Sequence, residues 1–196
     1  ITSSEIFRSF LIASQDNIVA KSVEFQFPAF RYLKVNTYLS QNTRQVTGDY
    51  RYTVSRPEGD IQEDIFQITE TGIRLKYAYR EKFMETPRGS RISLGTNYPI
   101  LYVNLHLGIP LFDGEYEYTK VEAKLTKTFV SKSLGETKLA LVGGWADRSL
   151  PYPLLYTGAG SYYIFTIETE NSFATMRMNE FVSDRFGSLH FQQDFG

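Results

Sequence analysis

The stretch Ile73-Arg74-Leu75-Lys76-Tyr77-Ala78-Tyr79-Arg80, at the centre of the segment from Glu70 to Phe83, decides the fold. Ile73, Leu75, Tyr77 and Tyr79 fall on one side of it, Arg74, Lys76, Ala78 and Arg80 on the other. Period 2 is the signature of a pleated strand with one apolar and one polar face. The pattern predicts that Leu75, Tyr77 and Tyr79 share a surface and that Arg74, Lys76 and Arg80 share the opposite one.

The same alternation recurs along the chain. It sets Leu33, Val35, Thr37 and Leu39 against Tyr32, Lys34, Asn36 and Tyr38 within Ala29 to Ser40, and Leu101, Val103, Leu105 and Leu107 against Tyr102, Asn104 and His106 within Ile100 to Gly108. Between Tyr116 and Phe129 it opposes Val121, Ala123, Leu125 and Phe129 to Lys120, Glu122, Lys124 and Thr126. A fifth copy alternates Leu139, Leu141, Gly143 and Trp145 with Lys138, Ala140, Val142 and Gly144. Weaker strands are predicted at Glu5 to Ala13, Ser22 to Phe27, Tyr50 to Val54 and Ser161 to Glu168. Breaks are expected at Asp16-Asn17, Pro28, Pro57-Glu58-Gly59 and Asp113-Gly114. The prediction is an all-β, antiparallel up-and-down meander of roughly eight or nine strands. Asn179 to Gln192 alone also admits a helix, because Phe181, Arg185, Phe186 and Leu189 approach helical spacing.

Composition removes several classes of function. With 21 Lys+Arg against 22 Asp+Glu the net charge is -1, so no overall field draws in nucleic acid. The absence of cysteine removes disulfides, thiolate nucleophiles and cysteine-based zinc sites. His106 and His190 lie on separate strands without metal-ligand spacing, and both read as polar-face histidines. Gly158-Ala159-Gly160 lacks the rest of a dinucleotide fingerprint, and neither a nucleophile elbow nor a phosphate loop occurs. Glu115 with Glu117, or Asp64 with Glu70, could form a paired-carboxylate site, but carboxylates so placed on strands are more often solvated or paired with lysine. The chain is therefore expected to be no enzyme, with no metal and no organic cofactor. No apolar run reaches the roughly 18 residues of a membrane helix, so any membrane crossing would be made by strands.

An aromatic content of 15% in a chain of mean hydropathy -0.29 fits half-buried strands. Two arrangements remain open on these grounds. In a membrane barrel, Arg74, Lys76 and Arg80 would face a watery lumen, and tyrosines such as Tyr77 and Tyr79 would join an interfacial girdle. A soluble sheet with one solvated face yields the same alternation.

Four phrases bear on that choice: Leu75-Lys76-Tyr77-Ala78-Tyr79-Arg80-Glu81-Lys82-Phe83, Ser93-Leu94-Gly95-Thr96-Asn97-Tyr98-Pro99-Ile100-Leu101-Tyr102, Pro151-Tyr152-Pro153-Leu154-Leu155, and Thr175-Met176-Arg177-Met178-Asn179-Glu180-Phe181-Val182-Ser183-Asp184-Arg185. In this order they resemble the C-terminal barrel of a Bacteroidota outer-membrane family of unknown function. Its members carry an N-terminal carboxypeptidase-regulatory-like domain. The resemblance runs from about Phe66 to Gly196 and is looser over the first 60 residues; Met178 departs from it where the family phrase has proline. It implies that residues 1–196 form a single, incomplete segment of a transmembrane outer-membrane β-barrel, with further strands beyond both ends and any signal peptide outside these residues. The implied location is the bacterial outer membrane. The implied partners are its lipid bilayer and other outer-membrane proteins, and the implied role is transport, assembly or anchoring. The alternatives are a soluble β-sandwich binding glycan or protein and, more remotely, a hydrolase on a β scaffold. Arg177, Asn179, Glu180, Asp184 and Arg185 form the most concentrated polar phrase. Its charges are expected to be held by mutual or cross-strand ion pairs, because single charges beside Phe181 and Phe186 would be costly to bury.

Overall fold

The computed structural model describes residues 17–46, 52–56, 59–87, 89–148, 150–157, 160–161, 173–177 and 181–195. Its strands are β1 (Asn17–Phe30), β2 (Leu33–Gln45), β3 (Tyr52–Arg56), β4 (Gly59–Glu63), β5 (Ile65–Ala78), β6 (Lys82–Glu85), β7 (Arg91–Gly95), β8 (Ile100–Gly108), β9 (Tyr118–Ser131), β10 (Gly135–Ala146), β11 (Tyr156–Thr157), β12 (Gly160–Ser161), β13 (Phe173–Arg177), β14 (Val182–Ser183) and β15 (Arg185–Asp194). Seven of them form one sheet in the order β1-β2-β5-β8-β9-β10-β15. Every neighbouring pair is antiparallel, so the sheet is an up-and-down meander. The remaining strands make two-stranded pairs within the connections: β3 with β4, β6 with β7, β11 with β14 and β12 with β13. Strands β1 and β15 are the two edges of the sheet among the described residues.

Three connections leave one end of the sheet, between β2 and β5, β8 and β9, and β10 and β15. At the other end β1 and β2 are joined through Arg31 and Tyr32, β9 and β10 through residues 132–134, and β5 and β8 through the β6–β7 pair. We call these the loop end and the turn end.

The two faces follow the alternation. Cross-strand registers place Lys34, Asn36, Tyr38 and Ser40 of β2 beside Lys76, Arg74, Gly72 and Glu70 of β5, and these beside Tyr102, Asn104, His106 and Gly108 of β8. On the other face, Val35, Leu75, Val103 and Ala123 make a continuous row across β2, β5, β8 and β9. Leu75 and Tyr77 thus lie opposite Arg74 and Lys76, as the sequence predicts.

Burial inverts the usual arrangement. The buried strand residues Tyr38, Phe66, Ile68, Ala78, Tyr118, Ala140 and Ala146 all belong to the polar face, while on the apolar face Thr69 alone is buried. Every strand of the sheet presents large apolar side chains outward, with exposures of 39–67%: Phe25, Leu39, Ile73, Leu101, Leu125, Leu141 and Leu189 are one from each. The covered side is packed by the connections at the loop end, where Val46, Phe66, Ile68, Tyr118, Ala146, Leu150 and Leu154 form the core cluster.

Glycines on the polar face make room for rings on the adjacent strand. Tyr38 lies opposite Gly72, Tyr118 opposite Gly108 and Phe186 opposite Gly144. A Cβ at Gly72 would stand 2.4 Å from the Leu105 carbonyl oxygen and 2.7 Å from the Tyr38 ring; one at Gly108 would stand 2.3 Å from the Tyr118 ring. Rings laid over cross-strand glycines recover the packing that a missing side chain forfeits. Gly72→Ala is therefore expected to cost about 1–3 kcal/mol through overpacking. Gly187→Ala, where a Cβ meets nothing within 4 Å, should leave stability unchanged or slightly raised. Unfolding midpoints of the two variants in denaturant test the contrast.

Several sequence expectations require correction. The strand read from Glu70 to Phe83 runs instead over Ile65–Ala78, and Tyr79 and Arg80 form a turn before β6. Tyr79 therefore does not extend the apolar row of Leu75 and Tyr77. The strand read from Ala29 to Ser40 begins after the Arg31-Tyr32 turn, so Tyr32 sits in that turn. Pro28 does not break β1; an edge strand tolerates a missing N–H, and the register shifts between Pro28 and Phe30. The helix admitted over 179–192 is not formed in the described part, where Val182–Ser183 and Arg185–Asp194 are strands. Glu5 to Ala13 and most of Ser161 to Glu168 lie outside the described residues.

Candidate functional site

Near the loop end the polar face brings together four side chains from four strands. Glu70 of β5 is the centre: Tyr38 Oη of β2 donates to its Oε1 at 2.5 Å, and Tyr118 Oη of β9 donates to its Oε2 at 2.6 Å. His106 Nδ1 of β8 lies 3.0 Å from Glu70 Oε1 and is also hydrogen-bonded to Tyr38 Oη. The one hydrogen of the Tyr38 hydroxyl goes to Glu70, so Nδ1 carries the proton that His106 contributes. The imidazole and the carboxylate retain about 20% exposure. At such burial each polar atom needs its partner, and a satisfied network of this kind fixes the relative height of the strands that supply it. Arg74 lies over the Tyr38 ring at 4.3 Å and pairs with Glu24 of β1 at 3.2 Å, extending the network to the edge strand.

The connection between β10 and β15 seals this cluster. Pro151 and Leu154 are buried, and Tyr152–Leu154 forms a 3₁₀ turn whose backbone is restricted by Pro151 before it and Pro153 within it. Its carbonyls point at cations of the sheet: Lys120 Nζ donates to the Leu154 oxygen at 2.7 Å, and Arg44 Nη1 to the Pro153 oxygen at 3.2 Å. Each cation also faces a ring of the same connection, Lys120 over Tyr156 at 4.4 Å and Arg44 over Tyr152 at 5.5 Å. Lys120 stands next to His106 in the register, so the latch and the carboxylate cluster adjoin. The Tyr156 hydroxyl bonds to the carbonyl oxygens of Val121 and Trp145, and burial pushes its phenol up to about 12. The arrangement clamps a loop to the covered face of the sheet.

The residues singled out from sequence divide into three groups. Arg74 and Lys76 lie on the polar face with Glu70. Lys76 Nζ is 2.6 Å from Glu81, whose nearly buried carboxylate also receives the Ser93 hydroxyl at 2.5 Å. Burial alone would raise the Glu81 pKa, but these two hydrogen bonds and the nearby charges of Lys76 and Lys34 outweigh it and hold the carboxyl below the usual range. Arg80 departs from the polar row: the strand ends at Ala78, and Arg80 adopts φ 52° in the turn, fully exposed. Arg185 Nε lies 3.8 Å from Asp184, its chain neighbour, and both are exposed, so this pair contributes under about 1 kcal/mol. The pair is mutual, one of the two arrangements expected, and no cross-strand ion-pair partner of either residue is seen among the described residues. Asn179 and Glu180 lie outside the described residues, as does the side chain of Arg177.

The cluster of Tyr38, Glu70, His106 and Tyr118 was not foreseen as a unit. Its hydrogen-bonded pairs are 32 to 68 residues apart in sequence, and only the register unites them. The available signal was Gly72 and Gly108, each interrupting an alternating strand where another side chain approaches closely.

Sheet and cluster together define an all-β protein built on an antiparallel meander, with a loop clamped over its polar face. The chain belongs to the family described as "Family of unknown function (DUF5686) C-terminal domain", which matches residues 25–196. No curated protein matches it.

Proposed function

We propose that the chain is a segment of a transmembrane β-barrel of the bacterial outer membrane, from a Bacteroidota protein that also carries a carboxypeptidase-regulatory-like domain. In this reading it is not an enzyme and serves as a transport, assembly or anchoring component. The observation that carries the proposal is the inverted burial of the sheet: large apolar side chains are exposed on one face of all seven strands, while the buried strand side chains other than Thr69 lie on the opposite face, on β2, β5, β9 and β10. Fully burying a leucine or phenylalanine is worth roughly 1.5–3 kcal/mol, and soluble monomers rarely leave a contiguous apolar patch larger than a few hundred Å² in water. A bilayer turns that exposure into burial. Strand length agrees: β8 has nine residues, all four of its outward positions are apolar, and a tilted membrane strand needs about 9–11. The clamped loop and the Glu70 cluster then act inside the barrel wall, narrowing the lumen at the loop end and holding the strands in register.

The test uses the complete protein in a Gram-negative host. It is expected in the outer-membrane fraction, extracted only by detergent and migrating as a heat-modifiable band. Because the chain has no cysteine, single-cysteine variants report on each face. In proteoliposomes Leu125→Cys should resist a membrane-impermeant maleimide while Asp113→Cys, in the β8–β9 connection, reacts. Recovery in the soluble fraction without detergent, with rapid labelling at both positions, would favour a soluble sheet and overturn the proposal.

A further inference from the structure

Among the described residues, the turn end of the sheet carries a feature that the loop end does not. Two connections contribute a ladder of tyrosines there, β1–β2 with Tyr32 and β5–β8 with Tyr79 and Tyr98: Tyr32 is edge-on to Tyr79 with ring centroids 4.9 Å apart, and Tyr79 is edge-on to Tyr98 at 4.8 Å. Two guanidinium groups flank it, Arg31 over the Tyr32 ring at 5.5 Å and Arg80 over the Tyr79 ring at 5.3 Å. In sequence Tyr79 follows Tyr77 by two residues and Tyr98 precedes Leu101 by three; Tyr77 and Leu101 pair across β5 and β8 on the apolar face, each about two-fifths exposed. Arg80 reaches its place through a left-handed backbone, which a non-glycine residue adopts only where its surroundings impose it.

Neither arginine has a carboxylate partner among the described residues. At the loop end the corresponding cations are neutralised: Arg148 lies 3.4 Å from Asp147 and Arg185 lies 3.8 Å from Asp184. The turn end thus presents two unneutralised, exposed guanidiniums backed by rings at the edge of an apolar wall. Guanidinium matches phosphate oxygens in bidentate geometry, and tyrosine suits the boundary between hydrocarbon and headgroups.

We propose that Arg31 and Arg80, on the shelf formed by Tyr32, Tyr79 and Tyr98, bind the phosphate of a phospholipid headgroup whose acyl chains lie along the apolar face beside Tyr77 and Leu101. This inference rests on the membrane reading above and adds a specific lipid contact to it. The experiment is native mass spectrometry of the full-length protein in detergent, titrated with phosphatidylglycerol and, separately, with diacylglycerol, which has the same tails and no phosphate. Wild type should retain phosphatidylglycerol but not diacylglycerol. Arg31→Gln and Arg80→Gln should each weaken retention about fivefold, and Arg148→Gln should not. Retention of phosphatidylglycerol by both rim variants as strong as by wild type would overturn the lipid site and leave the membrane reading intact, whereas a protein that needs no detergent and binds no lipid would overturn both. Displacement of the lipid by millimolar inorganic phosphate would also overturn the proposal, since the site would then serve a free anion.

Discussion

Val103→Arg is expected to destabilise the folded protein by about 2–4 kcal/mol in lipid, enough to move much of the population out of the heat-resistant band. Val103 lies at the middle of β8 on the apolar face, in the row with Val35, Leu75 and Ala123. In a bilayer this row is near the midplane, where an ionised guanidinium loses its hydration or drags water in with it. On a soluble sheet the same substitution would place a charge in water and cost within about 0.5 kcal/mol. Thr43→Arg provides the comparison, because Thr43 shares the face but sits towards the loop end, opposite the polar Gln67. Urea unfolding in lipid of both variants discriminates the readings, and equal small effects would remove the basis for a membrane-facing wall.

Glu70→Ala should cost a similar amount for an unrelated reason. It removes the acceptor for Tyr38, Tyr118 and His106 together, leaving three donors in a site with little solvent. An unsatisfied buried donor costs about 1–3 kcal/mol; allowing for partial exposure, the sum expected is roughly 3–5 kcal/mol. Glu70→Gln keeps the shape but turns an amide donor towards a hydroxyl donor, so its loss should be intermediate. The clamp gives a second readout, since Tyr118 packs in the same cluster as Leu150 and Leu154. Limited proteolysis should therefore cut the β10–β15 connection faster in Glu70→Ala than in wild type. An unchanged unfolding midpoint with unchanged proteolysis would show that the cluster is dispensable.

The faces of the sheet were legible because alternation reports directly on the pleat. Ile100 to Gly108 was read with its boundaries correct, since Pro99 precedes it and Ile109-Pro110 follows it. Where the reading failed, the reason was local. Tyr79 and Arg80 prolong the alternation across a turn that has no glycine, proline, asparagine or aspartate to announce it. Pro28 announces a break that an edge strand has no need to make. Phe186 and Leu189 satisfy a helical spacing yet occupy opposite faces of a strand, and tertiary pairing with β10 decides between the two. The carboxylate cluster lay outside what one strand at a time can show. Period 2 places Tyr38, Glu70 and His106 on polar faces, but which of them meet depends on stagger between strands, and stagger is not written in any single strand.

The glycine and ring pairs can be regarded as a key with three teeth. Slide β2 against β5 by one residue and Tyr38 turns outward, opposite Thr71 or Ile73, while Leu39 turns inward. Slide it by two and the ring keeps its face but lands on Glu70 or Arg74, where a side chain already stands. Tyr118 over Gly108 imposes the same test between β8 and β9, and Phe186 over Gly144 imposes it between β10 and β15. Hydrogen-bond ladders accept any even slip; these notches accept one. A sheet so marked can change its outward apolar residues freely and exchange its connections, while the mutual height of its strands stays inherited.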